Sequence, residues 1–120
     1  MQKLLIPAYD VRLYLGDKTM DGVSIPRRDI VEFIRKAQKS STQKVPVRIS
    51  ETFFLSEDYE ENGWEIAAIA YPHRLYPKDQ IWQFMESLAH NMVERFAQNR
   101  ICITDGEKTK MFPHKQAKMS

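Results

Sequence analysis

Hydrophobic and polar residues alternate along several segments of the chain, and this period of two is typical of a β-strand with one buried face. In the first such segment Val11, Leu13 and Leu15 are separated by Arg12 and Tyr14. Residues 64–71 are instead almost continuously apolar, as expected of a central strand covered on both faces. We predict strands at residues 8–15, 45–55, 64–71, 100–104 and 107–112.

Turn-forming residues separate these strands. Asn62-Gly63 and Asp105-Gly106 are dipeptides that favour tight hairpin turns. We therefore expect an acidic hairpin loop over residues 56–63 and a two-residue turn at Asp105-Gly106. Glu51 interrupts the apolar face of its strand, which predicts a bulge or an edge position there.

A phrase built around a proline occurs twice, at residues 25–33 and 76–84. In each copy an apolar residue precedes the proline, and an isoleucine and a phenylalanine follow at i and i+3, on one helical face. Proline is well tolerated at the first position of a helix, because its missing N–H would have no partner there. We predict helices from Pro26 to about Lys39 and from Pro77 to about Gln98.

The predicted order is βαββαβ with a C-terminal β-hairpin extension. Over residues 8–104 this order resembles the ferredoxin-like split βαβ arrangement. The resemblance implies an α+β sandwich with two helices on one face of an antiparallel sheet, and it carries no functional motif. The other face would be open and would carry Tyr14 and Phe54, so we expect a homodimer in which a second copy covers it.

Composition indicates a single globular domain. The chain has 120 residues, 42% hydrophobic and 28% charged, with a net charge of +2. No apolar run approaches the roughly 20 residues that span a bilayer, and the N-terminal apolar stretch is too short for a signal peptide, so we expect a cytoplasmic protein. We predict one domain over residues 1–112 and a basic, mobile tail over residues 113–120.

The motifs of several enzyme classes are missing. There is no glycine-rich phosphate loop, no His-Glu-x-x-His helix and no Gly-x-Ser-x-Gly. Cys102 is the only cysteine, which excludes an intrachain disulfide and a cysteine metal cluster. Glu86, His90 and Glu94 share a helix face, but exposed charge pairing explains their spacing better than a metal does. We expect no metal and no other cofactor.

The loop before the second predicted helix carries the densest chemistry. A neutral imidazole at His73 can act as a general base near pH 7, and Arg74 can hold an anion beside the helix start. We predict a ligand site of Tyr71, His73 and Arg74, and, for an enzyme, a catalytic set of His73, Arg74 and Tyr76. An ordinary polar connection is the alternative.

A second candidate surface is basic and lies on the first helix and just beyond it. It can bind phosphates or an acidic partner protein, although no aromatic residue is interleaved for base stacking, and a solvated helix face is the alternative. The residues are Arg27, Arg28, Arg35, Lys36, Lys39 and Lys44.

Three functional hypotheses follow from these observations. The first is a small non-catalytic binding or regulatory protein, homodimeric, that acts on a protein or a small anionic partner, as a phage-type inhibitor would. The second is a nucleic-acid-binding protein that uses the basic face and the tail. The third is a cofactor-free enzyme of the small dimeric ferredoxin-like type.

Overall fold

The computed structural model describes residues 10–69 and 76–115. Neither of the helices in these ranges is long and apolar enough to cross a membrane. The elements, in chain order, are β1 (Asp10–Gly16), α1 (Arg27–Ser40), β2 (Arg48–Ser56), β3 (Tyr59–Ile69), α2 (Lys78–Arg95), β4 (Arg100–Thr104) and β5 (Thr109–Pro113).

The strands form one antiparallel sheet in the order β2-β3-β1-β4-β5. The first four strands have the ferredoxin-like order, and β5 extends the sheet beyond β4. The predicted fold class is therefore confirmed. β2 is an edge strand, as the charge of Glu51 indicates, but it contains no bulge, because every residue from Arg48 to Ser56 pairs in regular register with β3.

The core lies between the helices and one face of the sheet. Val11 and Leu13 are completely buried there, and the strand residues between them point to the other face, which is open. Helix α2 supplies eight buried residues to the core, whereas α1 supplies only Ile30 and Ile34. The open face carries Tyr14, because it lies between the buried positions of β1.

The two prolines of the repeated phrase start their helices in the same way. Pro26 and Pro77 are extended, with ψ of 149° and 148°, and occupy the N-cap rather than the first helical position. The Pro26 carbonyl accepts the Asp29 N–H at 3.1 Å, and the Pro77 carbonyl accepts the Gln80 N–H at 3.0 Å. The phrase therefore marks two equivalent helix starts.

The hairpin between β2 and β3 is tighter than the sequence predicts. Ser56 pairs with Tyr59, so only Glu57-Asp58 forms the turn, and the prediction of an acidic loop over residues 56–63 is wrong. Gly63 lies within β3, where an added Cβ would approach the Leu15 carbonyl oxygen to 2.6 Å. This glycine therefore allows a close approach of two strands rather than a turn.

The turn between β4 and β5 is longer than predicted, since β5 begins at Thr109 rather than at Glu107. The Asp105 Oδ1 accepts the backbone N–H groups of Glu107 and Lys108, both at 2.9 Å. Its Oδ2 accepts the indole N–H of Trp82 at 3.1 Å and lies 3.1 Å from Lys78 Nζ. The two backbone donors, followed by these two side chains, hold the pKa of Asp105 well below its usual range.

Helix α2 and strand β5 end at other residues than the sequence predicts. Helix α2 ends at Arg95, and Ala97 turns the chain with a φ of 47°, so the helix is shorter than predicted. Pro113 belongs to β5, and the His114 N–H donates to the Asn99 carbonyl at 2.9 Å. The tail is therefore attached to the sheet at least as far as His114.

Candidate functional site

A cavity of about 420 Å³ opens on the uncovered face of the sheet. It lies between the β2–β3 hairpin, the end of β1 and the start of β4. Its volume falls in the usual range for ligand pockets, roughly 300–1,000 Å³. The side chains that bear its chemistry are Tyr14, Phe54, Tyr59, Glu61, Arg100 and Cys102.

The floor of the cavity is formed where Gly16 ends β1. A Cβ added at Gly16 would lie 2.5 Å from Glu61 Oε1 and 3.3 Å from Gln98 Oε1. The Glu61 carboxylate therefore occupies the space that a side chain at position 16 would fill. Gly63 pairs directly with Gly16 in the sheet, so the two strands come together here without side chains between them.

Gln98 closes one wall of the cavity and is buried, with 6% of its surface exposed. Its Oε1 accepts the Gly16 N–H at 2.8 Å, and its Nε2 donates to the Lys18 carbonyl at 2.9 Å. The amide thus joins the end of β1 and the following loop to the end of α2. A buried amide with both ends satisfied holds its surroundings in one arrangement.

Aromatic rings form the side of the cavity nearest the hairpin. Tyr14 and Phe54 meet edge to face, with ring centroids 5.6 Å apart. The Tyr59 hydroxyl donates to Glu61 Oε2. This hydrogen bond, with a smaller contribution from desolvation, raises the pKa of Tyr59, so the phenol is a neutral donor at physiological pH.

A row of ion pairs continues along the open face beyond Tyr14. Glu65, which pairs with Tyr14 in the sheet, lies 3.5 Å from Arg48 Nη2 and 4.0 Å from Arg12 Nε. Arg12 Nη2 also lies 2.7 Å from Asp10 Oδ2. The hydrogen bond to Asp10, then that to Tyr14, and then the charges of Asp10 and Glu65 raise the pKa of the guanidinium above its ordinary value. The cations of this row are therefore already paired with carboxylates.

Cys102 lies beside Tyr14 on the neighbouring strand. Burial raises the pKa of its thiol, and the charge of Arg100 offsets this only in part. A thiol with a raised pKa is a weak nucleophile at neutral pH, so Cys102 serves here as a small cavity wall.

The ligand site predicted in the loop before α2 falls mostly outside the described residues. Tyr71, His73 and Arg74 lie in the range 70–75, so that prediction stays a prediction. Tyr76 is described, and it is half-buried against the core beside the start of α2.

The six predicted basic residues are exposed, and three of them, Arg35, Lys39 and Lys44, line one cavity near the end of α1. Lys44 Nζ donates to the carbonyls of Gln38 and Ser41, at 3.1 and 3.2 Å, and so caps the end of α1. Arg27 lies apart, 3.9 Å from Glu51 and over the ring of Trp64. The remaining members are Arg28 and Lys36, and binding of a polyanion to this surface stays a prediction.

The face of α2 that carries Glu86, His90 and Glu94 forms ion pairs with β5 and the residue that follows it. Glu86 bonds to Lys110, and Glu94 Oε2 lies 2.9 Å from His114 Nε2. Within residues 10–69 and 76–115, no group of three or more potential metal ligands comes together.

Several residues of the cavity could not be found by sequence motifs. Tyr14 and Phe54 were predicted on the open face from the alternation alone, and the structure places them there. Tyr59 and Glu61 fall in the segment that the Asn62-Gly63 signal assigned to a loop. A sequence prediction would have placed them on the open face only if it had extended β3 backwards to Tyr59.

No model of a known protein family matches the sequence, and no curated protein shows significant similarity to it. Solved structures do match the fold. A phage SAM lyase in complex with S-methyl-5'-thioadenosine is 16% identical, with a TM-score of 0.64 over 98% of both chains. A phage SAM lyase in its apo state is also 16% identical, with a TM-score of 0.64 over 98% of this chain and 99% of the other.

These similarities correct the leading functional hypothesis. A non-catalytic binding or regulatory protein was expected, and that interpretation is wrong, because these two solved structures, which match over 98% of this chain, are those of a phage SAM lyase, an enzyme. The findings favour the alternative of a small ferredoxin-like enzyme instead.

Proposed function

We propose that this chain is an enzyme that cleaves S-adenosylmethionine and releases S-methyl-5'-thioadenosine. The observation that carries the proposal is the match of fold over 98% of both chains to a phage SAM lyase that holds S-methyl-5'-thioadenosine. The β5 extension lies within that match, so the similarity extends beyond the four strands of the common ferredoxin-like sheet.

The chemistry of the open-face cavity supports this substrate class. S-adenosylmethionine combines a flat aromatic base with a sulfonium cation. Phe54 and Tyr59 line the cavity with aromatic rings. Aromatic rings stack on a flat base, and their faces attract a cation. The Glu61 carboxylate adds a negative charge at the cavity floor.

The reaction breaks the bond between the sulfonium sulfur and the aminobutyryl chain. The electron pair of that bond stays on sulfur, which becomes the neutral thioether of S-methyl-5'-thioadenosine. The carbon that sulfur leaves bonds to an oxygen of the substrate's own carboxylate, so the aminobutyryl portion departs as a lactone and no further reactant is needed. Because a positive charge disappears, a site that removes water from the sulfonium favours its loss. Glu61 attracts and places the cation, and the proton donated by Tyr59 restrains the carboxylate in that position.

The direct test is incubation of the purified chain with S-adenosylmethionine and no methyl acceptor, followed by chromatography. We expect S-methyl-5'-thioadenosine to accumulate. At substrate concentrations well below KM, Glu61→Gln should slow its formation by about 100-fold through weaker binding of the substrate cation, equivalent to about 2.7 kcal/mol of lost binding free energy. Glu60→Gln is the matched control, because Glu60 neighbours Glu61 but is exposed and points to the other side of β3.

Two results would contradict the proposal. One is the absence of S-methyl-5'-thioadenosine above the uncatalysed background. The other is an equal loss of rate in Glu61→Gln and Glu60→Gln, since a role for the cavity requires that only the residue inside it matters.

A further inference from the structure

We infer that Arg100 binds the carboxylate of the substrate's amino-acid portion, and that it thereby selects nucleosides that carry this group. The inference rests on the proposed function and adds a residue that determines specificity. Arg100 opens β4, lines the cavity and is exposed.

Arg100 differs from the other arginines of the open face in its pairing. Arg12 is bound to Asp10, and Arg48 lies 3.5 Å from Glu65. Arg100, by contrast, forms no ion pair with any carboxylate in the described part of the chain. Its planar set of N–H donors is therefore available for a carboxylate supplied by a ligand.

The opposite charges of the cavity lie near each other, but among the described residues they form no ion pair. The Glu61 carboxylate lies over Gly16. The register in which Tyr14 pairs with Cys102, continued by two residues, brings Gly16 beside Arg100 on β4. The carboxylate is therefore about one strand spacing, roughly 5 Å, from the Arg100 backbone, so a ligand whose cation meets Glu61 can reach Arg100 with a carboxylate on a short chain.

S-adenosylmethionine has that distribution of charge, because its sulfonium and its carboxylate lie on one short chain. S-methyl-5'-thioadenosine lacks the amino-acid portion and so cannot reach Arg100 with a carboxylate. The product should therefore lose the Arg100 contact when the bond is broken, which promotes its release.

Calorimetric titration with two non-reactive probes tests the inference. S-adenosylhomocysteine retains the amino-acid portion, and S-methyl-5'-thioadenosine does not. We expect Arg100→Met to weaken binding of S-adenosylhomocysteine by about 10- to 100-fold, the effect of removing a bidentate charge-assisted contact. Binding of S-methyl-5'-thioadenosine should change by less than about two-fold, because Arg100 is exposed and its removal leaves the cavity intact.

Two further variants refine the experiment. Arg100→Lys keeps the charge but loses the forked geometry, so its affinity for S-adenosylhomocysteine should lie between those of the native chain and Arg100→Met. Arg28→Met, an exposed arginine of α1, is the control for loss of one positive charge and should leave both affinities unchanged.

The outcomes separate the two proposals. If the native chain binds S-methyl-5'-thioadenosine and Arg100→Met weakens both probes equally or neither, the inference about Arg100 is wrong and the proposed function stands. If the native chain binds neither probe, the proposed function fails, and the role of Arg100 fails with it.

Discussion

Replacing Gly16 by alanine tests whether the position of the Glu61 carboxylate controls activity. The backbone of Gly16 lies outside the left-handed region, so alanine causes no backbone strain there. The new Cβ would stand 2.5 Å from Glu61 Oε1, whereas ordinary contact begins at 3.4 Å. The obstacle is the end of a flexible side chain, so the carboxylate must move by about 1 Å while the strand stays in place.

This displacement sets the expected loss of activity. A misplacement of about 1 Å costs roughly 100-fold in rate, so formation of S-methyl-5'-thioadenosine should fall by about that factor. Stability should change little. Alanine gains about 0.4–1 kcal/mol by restricting the unfolded chain, and the disturbed hydrogen bond between Tyr59 and Glu61 offsets a similar amount.

Gly63→Ala is the matched control, since Gly63 pairs with Gly16 but meets a rigid neighbour. Its Cβ would lie 2.6 Å from the Leu15 carbonyl oxygen, which is backbone and cannot turn aside. Such overpacking costs about 1–3 kcal/mol. For 120 residues, 1 kcal/mol shifts the melting temperature by about 4 °C, so we expect Gly63→Ala to melt about 4–12 °C lower and Gly16→Ala within about 4 °C of the native chain.

The assay combines the rate of S-methyl-5'-thioadenosine formation with thermal melting and a spectroscopic titration of Tyr59. Displacement of Glu61 should return the pKa of Tyr59 towards its ordinary value, independently of any catalysis. In a Glu61→Gln background, Gly16→Ala should cause little further loss of rate. Full additivity of the two losses, or an unshifted Tyr59 in Gly16→Ala, would refute the reasoning.

Three further predictions follow from the same structure. Gln98→Ala removes the acceptor of the Gly16 N–H and should destabilise the chain by about 1–3 kcal/mol, seen as a lower melting temperature; an unchanged melting temperature would show that water replaces the amide. Because the pKa of Asp105 is lowered in the folded chain, its carboxylate stabilises the fold at pH values above the ordinary carboxyl pKa, and this stability is lost as the pH falls towards the pKa of the folded state. The difference in melting temperature between the native chain and Asp105→Asn should therefore be constant from about pH 5 to 8 and shrink below about pH 4. A difference that stays constant at all pH values would contradict this. The homodimer expected from the open face predicts dimer mass in sedimentation equilibrium, and a monomer at high concentration would exclude it. Met111 pairs with Cys102 on the open face and is 54% exposed, so Met111→Lys should weaken a contact made through that face.

Local signals in the sequence were sufficient for the order and type of the elements. The alternation in β1 placed Val11 and Leu13 in the core and Tyr14 on the open face, because a strand turns successive side chains to opposite sides. The two proline phrases located both helix starts to within one residue, since an extended residue before the first helical turn is a local backbone preference.

The same signals misplaced the start of β3, for a physical reason. Asn62-Gly63 favours a turn in isolation, but in the sheet Gly63 is needed where β3 passes close to Leu15 and Gly16. The cost of a Cβ against a carbonyl oxygen on another strand depends on a contact between residues distant in sequence, and no local preference reports it. Tyr59 and Glu61 were therefore assigned to a loop although they belong to the cavity.

The sequence by itself determined the amphipathic elements, their order and the face of the sheet on which residues such as Tyr14 and Phe54 lie, because these depend on neighbours a few positions away. The tertiary structure alone decided that Glu61 fills the space left by Gly16, that Gln98 joins β1 to the end of α2, and that Arg100 faces the cavity without a carboxylate partner among the described residues. These facts depend on how β1, β3 and β4 lie side by side, which the residues of any one strand do not specify.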